Sequence, residues 1–159
     1  MSIRDYQFRG KTFDEWNIGE EFITGARTIT EGDIVTFAGL SGDWSATHTN
    51  DVYGRSTIYG SRIAYGNVTF IVSTGLIAQT MLFEGTTTAM LDMQIAYQEP
   101  VRFEDTIYCK FSAVEKRESA KYPDQGIVTI KGYVFNQNDE QVAEEELVFL
   151  VSKNKATMA

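Results

Sequence analysis

Between Ile63 and Gln79 the chain runs for seventeen residues without a charged side chain, and from Val68 to Ile77 it is apolar on nearly every side. A helix of that kind belongs inside a domain. It falls short of the ~20 residues a membrane span needs, so the rest of the chain has to supply its surroundings. The pattern predicts a helix beginning near Ser61 or Arg62 and ending by Phe83, with Glu84-Gly85 as its exit.

What lies around it reads mainly as strand. Residues 1–17 form a polar arm with scattered aromatics, expected to lie extended on the body, and Glu21 to Ile29 is a first strand rich in β-branched and aromatic residues. Thr30 with Asp33 three positions on makes a capping box for a helix carrying Ile34, Val35, Phe37, Ala38 and Leu40, which stops near Ser41-Gly42. A short helix and turn follow between Asn50 and Gly60. After the central helix, Ala89, Leu91, Met93, Ile95 and Tyr97 alternate with more polar residues, giving one apolar face at a period of two. Pro100 breaks that strand. Thr106 to Glu118 repeats the alternation, and Ile127–Phe135 with Gln141–Ser152 forms a last pair joined by a polar turn. Glu144-Glu145-Glu146 reads as a solvated strand end. The expectation is a single α+β domain over residues 1–159, with an antiparallel sheet wrapped around one long helix.

A net charge of −8 argues against a protein that tracks nucleic-acid phosphates or an anionic membrane surface. Met1-Ser2-Ile3-Arg4-Asp5 lacks the organisation of a signal peptide, and a cytoplasmic location is expected. One cysteine and one histidine make a zinc site improbable, no metal is expected, and Cys109, in an alternating run, reads as a packing residue.

That one histidine is His48, in the polar loop Gly42-Asp43-Trp44-Ser45-Ala46-Thr47-His48-Thr49. Asp43 lies five positions before it, and the two side chains converge if the loop curls back, with space for a water between them. Taken alone, such residues are more often turn and capping residues than catalysts. The loop and the stretch Gly60-Ser61-Arg62-Ile63-Ala64-Tyr65-Gly66 together resemble the MaoC-like dehydratases and (R)-specific enoyl-CoA hydratases. That family's signature is Gly-Asp-x-Asn-Pro-x-His followed by Gly-x-x-Ile-Ala-His-Gly. Here Ser45-Ala46 stands for Asn-Pro and Tyr65 for the second histidine. Pro100-Val101-Arg102-Phe103-Glu104-Asp105-Thr106 is similar to the Pro-Val-x-x-Gly-Asp-Thr turn of the same proteins, with Glu104 in place of glycine.

The resemblance implies a hotdog fold and hydration of a 2-enoyl-CoA, or the reverse dehydration, by a lyase. It makes Asp43 and His48 the acid/base pair, and Gly66 the place where a backbone N–H meets the thioester oxygen. It aligns Thr74 with a pocket serine, sets Tyr65 and Trp44 beside the acyl group, and leaves Arg62, with Arg55, nearest in sequence for the phosphates of coenzyme A. Coenzyme A would arrive as part of the substrate, with no separate cofactor, and the chain would pair at least as a homodimer. A thioesterase on the same fold and a non-catalytic acyl-thioester binding subunit are the rival readings.

Overall fold

The computed structural model describes residues 2–157. Its elements follow in the order β1 (Glu21–Thr28), α1 (Glu31–Ser41), α2 (Ala46–Thr49), α3 (Asp51–Ser56), α4 (Gly66–Gln79), β2 (Thr87–Tyr97), β3 (Thr106–Glu118), β4 (Gln125–Phe135) and β5 (Gln141–Ser152). The strands pair antiparallel throughout in the order β1-β3-β4-β5-β2. The sheet curls around α4, the hotdog arrangement expected from the sequence.

Burial follows α4 in pairs one turn apart: Val68 and Thr69, Val72 and Ser73, Leu76 and Ile77. Each large apolar member contributes ~1.5–3 kcal/mol by leaving water. The remaining flank is open, and Ile71 is 54% exposed, because a sheet covers a helix from one side only. The helix also starts later than its apolar pattern suggests. Ile63 bridges Arg102 and Ala64 N–H donates to Val101 O at 2.8 Å, so these residues are extended and tie the entry of α4 to the turn before β3. In that turn Glu104 has φ +69°, the left-handed backbone that favours the glycine of the similar proteins.

The capping box at α1 is present, with Asp33 Oδ2 accepting from Thr30 N–H at 2.8 Å, and Gly42 closes the helix at φ +76°. The arm is more than a surface strap. Gly10 and Lys11 donate to Glu84 O and Leu82 O, and Trp16, 1% exposed, stacks on Phe83 at 4.8 Å.

Two expectations about strands fail. β2 lies at the sheet's edge, bonded to β5 alone, with two register shifts. Leu91, Met93 and Tyr97 are about half exposed, and only Ile95 of its apolar residues packs on the core. Glu145 is no solvated strand end: it is 1% exposed, on the inward face of β5 with Ala143 and Leu147. Cys109 is fully buried, and burial pushes its thiol well above the ordinary range. Among the described residues, no helix is long and apolar enough to cross a membrane.

Candidate active site

The polar loop is ordered by its own side chains. Ser41 Oγ donates to Phe37 O at 2.7 Å and accepts from Asp43 N–H at 3.2 Å, so the residue after the Gly42 cap leaves α1 in a fixed direction. Asp43 Oδ1 then accepts from Ser45 N–H at 3.0 Å and from the Ser45 hydroxyl. This local turn starts the single turn of α2, and His48 sits on α2 where the sequence suggested loop. Ser45 thus supplies two donors to the carboxylate. The Ser45 hydroxyl, then its amide, and more weakly the charge of His48 hold the Asp43 carboxyl below its ordinary range against a smaller penalty of burial. Asp43 is ionised at neutral pH, with Oδ1 engaged and Oδ2 left over.

His48 is fixed from two sides. Its Nδ1 lies 2.8 Å from Ile63 O, and since a carbonyl oxygen only accepts, Nδ1 carries a proton and Nε2 of the neutral ring keeps its lone pair. Its ring lies against Tyr65, with centroids 3.9 Å apart and planes inclined by 35°. Tyr65 is 3% exposed, packs on Phe37 at 4.8 Å, and donates its hydroxyl to Asp43 O at 2.5 Å. Burial, followed by the Asp43 charge, raises the Tyr65 phenol, which keeps this donor protonated.

Asp43, His48, Tyr65 and Gly66 line one cavity of about 490 Å³, together with Thr69 and Tyr97. That is a size suited to a small-molecule ligand. Gly66 is the first residue of α4, and the first bonds of the helix run from Val68 and Thr69 N–H back to Tyr65 O. The amides of Gly66 and Asn67 precede them, at the positive end of the helix dipole. A Cβ at Gly66 would lie 2.7 Å from Cζ of Tyr97, so the missing side chain admits that ring.

Three residues expected at the substrate lie elsewhere. Trp44 is 58% exposed and off the cavity wall, because the Asp43–Ser45 turn directs it outward. Thr74 bonds its hydroxyl to Phe70 O and Ile71 O of its own helix, and the inward hydroxyl on that turn is Ser73. Arg62 is held by both carboxylate oxygens of Glu31, at 2.9 and 3.0 Å, and lies over Phe103. Arg55 is paired with Asp51. Arg102, beside cavity residues Pro100 and Val101, gives its backbone N–H to Asp105 Oδ2, while its guanidinium donates to Tyr59 O and Ser61 Oγ and has no acidic partner among the described residues.

Thr69 and Tyr97 were missed. Thr69 carries no chemical signal, but Tyr97 lay in plain view as the aromatic ending β2; its approach to Gly66 depends on how the sheet curls. No group of three potential metal-binding His, Cys, Asp or Glu side chains occurs among the described residues.

A family model described as MaoC like domain matches residues 14–132. Protein MaoC of Klebsiella aerogenes is 32% identical over 121 residues, which is 74% of this chain and 36% of that protein. An (R)-specific enoyl-CoA hydratase of Rhodospirillum rubrum is 34% identical over 84 residues, 52% of this chain and 56% of the relative. The matched region thus spans well under two thirds of either protein. Among solved structures, one described as a monoamine oxidase regulatory protein from Archaeoglobus fulgius superposes with a TM-score of 0.86 at 30% identity, covering 94% of this chain and 99% of the other.

Proposed function

Since the chain belongs to the MaoC-like domain family, we propose that it adds water to the double bond of a 2-enoyl-CoA with (R) stereochemistry, and removes it in reverse. One observation carries this reading: an ionised carboxylate and an imidazole held through Nδ1 on Ile63 O share a cavity with the first amides of a buried helix.

Hydration needs one water held with its oxygen lone pair aimed at C3. Two acceptors do this together, Asp43 Oδ2 and His48 Nε2, each taking one of the water's hydrogens. As the C3–O bond forms, Nε2 takes the water proton and the C2=C3 electrons move into the thioester as an enolate. The charge on the enolate oxygen is met by the amide of Gly66. The imidazolium then returns the proton to C2 on the face from which the oxygen came, and Asp43 stabilises it meanwhile. Asp43 held ionised suits the orienting role, and His48 carries the proton both ways. For the coenzyme A phosphates, Arg102 is better placed than Arg62 or Arg55, whose charges are already paired.

Loss of the conjugated enoyl absorbance of crotonyl-CoA tests the reading. The protein is expected to turn over, and Asp43→Asn and His48→Ala each to lower kcat at least about a hundredfold with an unchanged fold by circular dichroism. Thiol release without loss of the double bond points to the thioesterase instead. Binding of coenzyme A thioesters with no turnover points to the binding subunit, and either result ends the proposal.

A further inference from the structure

Behind the cavity lies a carboxyl group that the hydration mechanism does not use. Glu145 projects from the middle of β5 onto α4 and is 1% exposed, with Oε2 2.7 Å from Ser73 Oγ. Its place is shaped by a glycine on the neighbouring strand. Gly132 stands opposite in register, and a Cβ there would come within 3.0 Å of the glutamate's Cγ and 3.1 Å of Oε1. Oε1 itself has no hydrogen-bond partner among the described residues. A buried polar atom left in this way costs ~1–3 kcal/mol, and a ligand group is one way to recover it.

Proton counting says what kind of group. Ser73 Oγ also lies 2.8 Å from Phe70 O, which only accepts. Ser73 has a single proton for these two acceptors, and Phe70 O already takes the Thr74 hydroxyl, so that proton goes to Oε2. Oε1 then accepts when the carboxyl is ionised and donates when it is protonated, and a hydroxyl group answers either state. Burial, only partly offset by Ser73, raises this carboxyl to about 7, in keeping with a neutral form near and below neutrality.

Helix α4 connects this carboxyl to the cavity. Thr69, on its wall, lies one turn before Ser73 on the same inward face of α4. Tyr97, also on the wall, is half exposed at the end of the edge strand. Burial, and then the nearby Glu145 charge, raise its phenol. Seven residues at the helical rise put Ser73 roughly 10 Å beyond Gly66, the reach of an acyl chain of about six to eight carbons.

We propose that Glu145, set by Ser73 and Gly132, recognises the far end of the acyl chain, and that the preferred substrate carries a hydrogen-bonding group there, a hydroxyl. This rests on an acyl thioester occupying the cavity, as read above. Nothing in it requires Glu145 to touch the reacting atoms; it selects among substrates.

The test compares two 2-enoyl-CoA substrates of equal length, about six to eight carbons, one ending in a methyl group and the other in a primary hydroxyl. The expected result is a kcat/KM at least about tenfold higher for the hydroxylated chain, because a site built around a hydrogen bond discriminates against an analogue that lacks it. Glu145→Leu should abolish that ratio, chiefly through KM, while Glu145→Gln, whose amide carbonyl still accepts, should keep most of it. A wild-type ratio near one overturns the proposal without recourse to any variant, and so does a ratio that survives in a folded Glu145→Leu protein. Calorimetric titration with the saturated thioesters of the same two chains separates this idea from the hydratase reading. A preference in Kd without turnover retains Glu145 as the selector and removes the hydratase; equal Kd values with turnover do the reverse.

Discussion

Tyr65 joins the two halves of the site, with its hydroxyl on the backbone of Asp43 and its ring against the imidazole of His48. Tyr65→Phe keeps the ring and removes the bond to Asp43 O. It is expected to cost ~1 kcal/mol of stability and to lower kcat about tenfold with little change in KM, as Asp43 loses its anchor while the substrate's contacts persist. A thermal melt and steady-state kinetics on the same preparation check both parts. That Asp43 and His48 border one cavity was legible from spacing and resemblance, because five residues of loop suffice to close a turn. The outward path of Trp44 and the engagement of Arg62 by Glu31 were not, since each depends on a partner the local sequence does not name. Glu145 was within reach. It stands two residues after Ala143 and two before Leu147, on the face those residues bury, and the acidic run around it concealed the period.

At the level of elements, β3 and β5 coincide with their sequence-based limits and α1 has the expected caps, because each is bounded by residues with a local preference. The start of α4 was misplaced because helix propensity says nothing about the pairing of Ile63 with Arg102. β2 was misread for a related reason: alternation marks a strand with one apolar face without saying whether its own sheet covers that face. Its free edge and the exposed Leu91, Met93 and Tyr97 are a liability unless covered. We expect two chains to join along this edge, extending the sheet across the pair. Light scattering should give twice the 17.9 kDa chain mass, and Met93→Lys should shift the particle toward one copy. A wild-type monomer at micromolar concentration would remove this expectation.

For the molecule as a whole, Glu145 ties stability to pH. Its carboxyl titrates near 7 when folded, against 4.5 for an ordinary glutamate, so between those values the folded protein binds the extra proton. Stability from this group is therefore highest below about 4.5 and declines as pH rises to about 7, by on the order of 3 kcal/mol. Tyr97 and Cys109, its ionisable neighbours on β2 and β3, are both shifted upward and stay neutral across that range. Urea melts at pH 5 and pH 8 should show the decline in the wild type, and Glu145→Gln should remove that component. Cys109 shares this interior, its Sγ 3.9 Å from Ser73 O beneath α4. A thiol-specific label has no route to it while the helix is seated. The rate at which such a label attaches is thus a clock for how often the centre of the protein breathes open, and substrates that settle in the cavity should slow it.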